Sequence, residues 1–355
     1  MSDSAADPEL AEVEASGRAM RRPAWVNRMI WLAVAAVITV LTVRLVGRVD
    51  WPAVGRALSH LTWWQPFVLL AVLLTRQVMN ALPLKIYIPG VTIYRATIND
   101  LGAMLMSLFA PPPSDIALRT AMFSSWGIST STGLAGAVMN TLTFYVVRFG
   151  VPVLGFVLLL VTGQPAGLRY LEILSIAIAV AIFVGIVLVI RSEALARTVG
   201  TRSALVVRKV RSSVKPESWA EACVRFRAET ALRFRQGFPR SMLALVGMVV
   251  ADLTLLVCCL RFVGVSAADV SLLEIAIAYL FAYPFTVFPF AGIGVVDAIL
   301  LAALVGSGGQ GIEAAAVAAL GVWRIFTIGG PVLLGVIAVA IWRRSLGDKQ
   351  HATAG

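Results

Sequence analysis

The chain has 355 residues, 59% hydrophobic and 14% charged, with a formal net charge of +11 and a mean hydropathy of +0.87. That composition is too apolar and too poor in charge for a soluble domain, and it predicts a polytopic membrane protein. The positive balance does not point to nucleic acid, because Arg and Lys lie mostly between apolar runs, where they report orientation. Cys223, Cys258 and Cys259 form no disulfide framework, and His60 and His351 cannot build a metal cluster with them. No metal and no cofactor is expected.

The first 28 residues carry Asp3, Asp7, Glu9, Glu12 and Glu14, then Arg18, Arg21, Arg22 and Arg28, and read as a disordered cytoplasmic tail. Residues 29–46 are long and apolar enough to cross the hydrocarbon core. A short polar connection over 48–61 follows, then Trp63-Trp64 at an interface and a second crossing to about Pro83. Lys85 and Arg95 fit a cytoplasmic loop. Residues 97–109 and 116–126 are each short for a span, and Pro111-Pro112-Pro113 joins them into an expected re-entrant hairpin.

Residues 127–161 are apolar except for Arg148 and predict a long tilted helix bent at Pro152. Residues 170–190 return to a strongly basic stretch, 191–240, assigned to the cytoplasm. Within it Trp219, Cys223, Phe226 and Thr230 recur at helical spacing, as in a helix lying on anionic lipid headgroups; an ordinary positive-inside linker accounts for the same arginines. Residues 242–263 cross outward with Asp252, and 271–288 with 293–305 form a second hairpin. Residues 313–342 cross back with Arg324 near their middle, and Arg343, Arg344 and Lys349 close the chain inside.

The two hairpins hold the same place in two halves. Phe109 and Phe288 differ by 179 positions (288 − 109), and so do Pro152 and Pro331 (331 − 152). The expected fold is therefore an all-α polytopic membrane protein of about six transmembrane helices plus two re-entrant helical hairpins in an inverted-topology repeat. The halves are 29–190 and 241–342 within a membrane domain of 29–342, followed by a cytoplasmic tail of 343–355.

Broken helices at membrane depth survive only where protein or a wet cavity satisfies their backbone. Their N-termini, expected at Ser114–Ile116 and at Gly292–Val295, offer free N–H groups and a positive dipole end to a phosphate. Arg76, Arg148 and Arg324 sit inside apolar runs, where a central arginine costs roughly 2.5–3.5 kcal/mol and so faces protein or water. Arg119 follows the first tip by just over a turn, and Asn80 shares a helix face with Arg76. Phosphate binding and structural ion pairs both explain these groups; the candidate pairs are Arg324 with Asp297, and Arg76 or Arg119 with Asp100 or Asp115. Asp252 and Asp297 are candidate proton acceptors.

Pro289 through Gly292-Ile293-Gly294-Val295-Val296-Asp297, with Arg324 in the next long helix, resembles the flippase-like transmembrane module of bacterial lysylphosphatidylglycerol synthases. Pro111 to Arg119 and the following Ser125-Trp126-Gly127-Ile128-Ser129 are similar to the family's first hairpin. The resemblance covers residues 30–342; it departs at Ser114, where a glycine is usual, and around Asn140, where the family's acidic-basic pair is missing. It implies movement of a membrane phospholipid or polyprenyl-phosphate-type lipid between leaflets of the plasma membrane, with both termini cytoplasmic. Lysyl transfer is not expected, since that activity needs a soluble domain and none follows Trp342. A lipid-phosphate enzyme or a non-transporting scaffold is the alternative. Oligomeric state stays open, with a homodimer among the options.

Overall fold

The computed structural model describes residues 51–59, 61–110, 114–162 and 216–354, with positions 177, 180, 181 and 184 besides. These stretches lie in one compact unit, Asp50–Gly355. Among the described residues the regular structure is entirely helical. The chain is an all-α polytopic membrane protein. The crossings expected at 29–46 and 170–190, the prolines 111–113 and the start of the basic stretch lie largely or wholly outside the described residues.

The segment read as a polar connection contains a helix, α1, Trp51–Ser59. Pro52 suits a first helical turn, where its missing N–H has no partner to lose. Val54 and Ala57, three apart, are the buried side. Flanking charges masked this short amphipathic pattern.

Helix α2, Gln65–Tyr87, buries Leu69, Leu73, Gln77 and Ala81 on one side and exposes Phe67, Leu70, Leu74 and Val78 on the other. Both stripes follow helical spacing. An exposed stripe this apolar faces lipid. Three further helices are long and apolar enough to cross a membrane: α5 (Thr130–Thr162), the later part of α6 (Pro216–Phe262), and the run spanning 310–346. Helix α6 begins inside the basic stretch and continues into the membrane segment as one element.

Between the long helices lie two broken pairs. The first is α3 (Ile93–Phe109) packed on α4 (Ser114–Ser125). The second is α7 (Leu272–Ala282), its 3-10 extension Tyr283–Val287, a single turn Pro289–Gly292, and α8 (Val295–Gly308). Ser271 opens α7 with a reciprocal capping box to Glu274. The first arms begin at Ile93 and Leu272, again 179 apart (272 − 93).

The packing follows the repeat. Helix α2 and the later part of α6 are equivalent segments and run antiparallel: Trp64 stacks edge-on to Phe262, Arg76 meets Asp252, Met79 lies beside Gly247, and Tyr87 lies beside Gly237. Equivalent helices that run oppositely are related by an axis across them, as in an inverted repeat. Each long helix also packs on the other half's first hairpin arm. A Cβ at Gly155 of α5 would meet Leu280 of α7, and one at Gly335 would meet Leu101 of α3; Leu101 and Leu280 are 179 apart (280 − 101).

The last run is not one regular helix. Helix α9 (Glu313–Arg324) passes into a π turn, Ile325–Gly329, before α10 (Gly330–Ala354). Pro331 explains the turn: it has no N–H for the Thr327 carbonyl and its ring crowds that oxygen. The Gly330 N–H bonds Ile325 instead, five residues back. Arg324 immediately precedes the widened turn and Thr327 lies within it.

Candidate functional site

The two halves enclose a cavity of about 350 Å³. Eight of the residues singled out from the sequence line it: Arg76 and Asn80 from α2, Asp100 from α3, Asp115 and Arg119 from α4, Arg148 from α5, Asp252 from α6, and Arg324 from α9. Four arginines spread over four helices and 248 positions of sequence (324 − 76) thus converge on one space.

Each arginine is held differently. Arg119 donates from Nη1 to Asn99 Oδ1 at 2.8 Å and from Nη2 to Asp100 Oδ1 at 3.0 Å. Asn80 Nδ2 donates to the other Asp100 oxygen at 2.6 Å, so α2, α3 and α4 are tied through one carboxylate. Arg324 Nε donates to Asp297 Oδ1 at 2.7 Å, and its Nη1 to the Ala291 carbonyl at 3.2 Å. Arg76 lies with Nε 3.1 Å from Asp252 Oδ1, in contact but outside hydrogen-bond alignment, and donates to Gln77 at 2.6 Å. Tyr279 donates to the other Asp252 oxygen at 2.8 Å.

Arg148 differs from the other three. It meets no carboxylate among the described residues; its guanidinium lies over the Phe144 ring, 4.5 Å from the centroid, and 5.7 Å from that of Tyr145. Its Nε is buried and has no hydrogen-bond partner among the described residues. Arg324 Nη2, Trp323 Nε1 and Asn140 Oδ1 are buried and unpartnered too, and all belong to residues lining the cavity. A buried polar atom left unpaired costs on the order of 1–3 kcal/mol, so four in one lining make a site suited to a polar ligand.

The second hairpin's tip supplies a wall. Ala291, with φ +54°, holds a left-handed conformation that costs a non-glycine residue about 1–3 kcal/mol, and its carbonyl is the one Arg324 grips. Gly292 (φ +69°) follows; a Cβ there would sit 2.5 Å from the Phe285 carbonyl oxygen. Gly294 (φ +84°) precedes α8 and donates its N–H to Asp297 Oδ2 at 2.8 Å. The helix start expected over Gly292–Val295 is there, at Val295, but the Gly294 N–H before it is already engaged by Asp297. Gly292, Gly294 and Asp297 shape and brace the tip rather than line the cavity. Ser114 begins α4 as expected and stands next to the lining residue Asp115, outside the lining itself.

The chain matches the family of the lysylphosphatidylglycerol synthase TM region over residues 30–335. It belongs to that family. The match spans both hairpins and all four cavity arginines, which places the whole site inside the family's domain. No curated protein matches the chain.

Three participants were missed by sequence reasoning. Asn140 was noticed only for the pair it lacks, although a lone amide in an apolar run is itself a signal. Tyr279 and Trp323 look like ordinary core aromatics in the sequence. Their polar ends acquire meaning only when Asp252 and Arg324 are placed beside them.

Proposed function

We propose that the protein moves a phospholipid or lipid-linked phosphate between the leaflets of the plasma membrane, with the headgroup in the cavity and the acyl chains outside it. The observation that supports this most is Arg148: a cation lining an intramembrane cavity that has, among the described residues, no carboxylate partner and no acceptor for its Nε. A phosphate oxygen is the acceptor such a group favours. Arg324 Nη2 and Trp323 Nε1 add two unpartnered donors from the opposite half. The reading carries no bond-breaking step, and it places both termini in the cytoplasm with anionic lipid along the basic stretch.

The test is translocation by purified protein in liposomes carrying fluorescent phosphatidylglycerol or a polyprenyl phosphate, followed by access to a membrane-impermeant quencher. Protein-dependent translocation, lost in Arg148→Ala while the variant elutes as folded protein, is the expected result. Equal rates in wild type and Arg148→Ala would exclude this site as the path.

A further inference from the structure

The charges around the cavity sum to zero. Arg76, Arg119, Arg148 and Arg324 line it or brace it together with Asp100, Asp115, Asp252 and Asp297. Three of these carboxylates have a polar partner for at least one oxygen. Asp100 accepts from Arg119 and Asn80, Asp252 accepts from Tyr279 and touches Arg76, and Asp297 accepts from Arg324 and the Gly294 N–H. Asp115 alone has neither ion pair nor hydrogen bond through its side chain among the described residues, and it lines the cavity.

An entering phosphate therefore brings one negative charge into a balanced, low-dielectric space. An uncompensated charge at membrane depth is strongly disfavoured. Arg148 already offsets Asp115 in the count, so the phosphate that engages Arg148 leaves the Asp115 carboxylate as the excess anion. The α4 N-terminus stabilises that carboxylate with only a fractional charge, against the full charge of the phosphate. The groups of the other elements that face the same space are Arg76 on α2, Asp100 on α3, Tyr145 and Arg148 on α5, Asp252 on α6, Tyr283 in the 3-10 turn and Arg324 on α9. Of the cations among them, only Arg148 is not already committed to a carboxylate.

We propose that the cavity binds its anion together with one proton, which Asp115 accepts. This rests on the phosphate-binding reading above and adds a coupled ion to it: one proton moves from solvent to an Asp115 carboxylate oxygen for each phosphate monoanion bound. The loaded cavity is then neutral, as the empty lining is once Asp297, which pairs with Arg324 from outside it, is counted.

The experiment is calorimetric titration of the full chain in detergent with short-chain phosphatidylglycerol, in buffers of different ionisation enthalpy and across pH 5 to 8. The expected result is uptake of about one proton per lipid and an affinity that falls up to tenfold per pH unit as protons become scarce, since proton uptake on binding makes low pH favourable. In Asp115→Asn the uptake disappears and the affinity becomes flat with pH; in Asp269→Asn, an exposed acid outside the cavity, the uptake and the pH slope remain. Wild-type binding without proton uptake would overturn the coupling and leave the phosphate site standing. Binding of phosphatidylethanolamine but not phosphatidylglycerol, without uptake, would overturn it in favour of a ligand that brings its own cation. Failure of any phosphate lipid to bind the folded wild type would overturn both readings.

Discussion

At the second hairpin, Asp297 accepts from Arg324 and from the backbone of Gly294, and Arg324 in turn holds the Ala291 carbonyl. At the first, Asp115 sits one residue into α4 with no charged partner among the described residues, and Arg148, on the long helix that follows, has none among them either. The repeat gives both halves the same helix–hairpin–helix order, but the C-terminal half closes its acid and base on each other while the N-terminal half leaves one of each facing the cavity. Symmetric architecture is thus compatible with an asymmetric site. The closed pair fixes a strained tip; the open acid and base remain available to a ligand.

The largest effect tests the relation between the hairpins. Ser124 and Ser307 are exposed residues near the ends of the two second arms, α4 and α8. An inverted repeat puts them on opposite faces of the membrane. Ser307→Cys is expected to react with an impermeant maleimide added to intact cells, and Ser124→Cys only after permeabilisation. Labelling of both from one side would break the inverted comparison.

The next contrast is energetic. Asp297→Ala leaves Arg324 mostly buried without its carboxylate and frees the Gly294 N–H, so a loss of about 3–5 kcal/mol is expected. Asp100→Ala leaves Arg119 still bonded to Asn99, and about 1–3 kcal/mol is expected. Denaturant titration in micelles compares the two. Equal losses would mean that the second tip is no more tightly braced than the first.

Gly292→Ala sharpens the same point through the backbone. The new Cβ meets the Phe285 carbonyl at 2.5 Å in a conformation unfavourable to alanine, and a loss of about 1–3 kcal/mol follows, read as a lower melting temperature. Full stability would show that the tip relaxes freely.

The repeat, the hairpins and most of the arginine set were legible because each rests on a local signal: a charge inside an apolar run, a proline or glycine cluster at helical depth, a constant offset. The pairing was legible only in part. Arg324 with Asp297 follows from a single hairpin, and Arg119 with Asp100 was one of several options, whereas Arg76 with Asp252 depends on α2 lying antiparallel to α6, which no local pattern encodes. The π turn shows another limit. Gly329-Gly330-Pro331 announces a disturbance, but whether a helix answers proline with a kink or with a five-residue bond depends on what packs around it.

The smallest expected stability change belongs to the residue with the largest functional one. Arg148 has no carboxylate to orphan, and its contacts are the rings of Phe144 and Tyr145, each a cation–π contact of about 0.5–2 kcal/mol. Against that loss stands the relief of a half-buried charge whose Nε is unpartnered. The two nearly offset, so Arg148→Ala is expected to unfold within about 1 kcal/mol of wild type. Arg324→Ala, by contrast, deprives Asp297 and the Ala291 carbonyl together and destabilises strongly. A Lys at 148 keeps the charge but loses the planar fork that reaches a phosphate while lying on the rings, and it is expected to restore translocation only in part. If Arg148→Ala were instead as destabilising as Arg324→Ala, the residue would belong to the frame of the first half, and the contrast between an open and a closed half would fail at its central point.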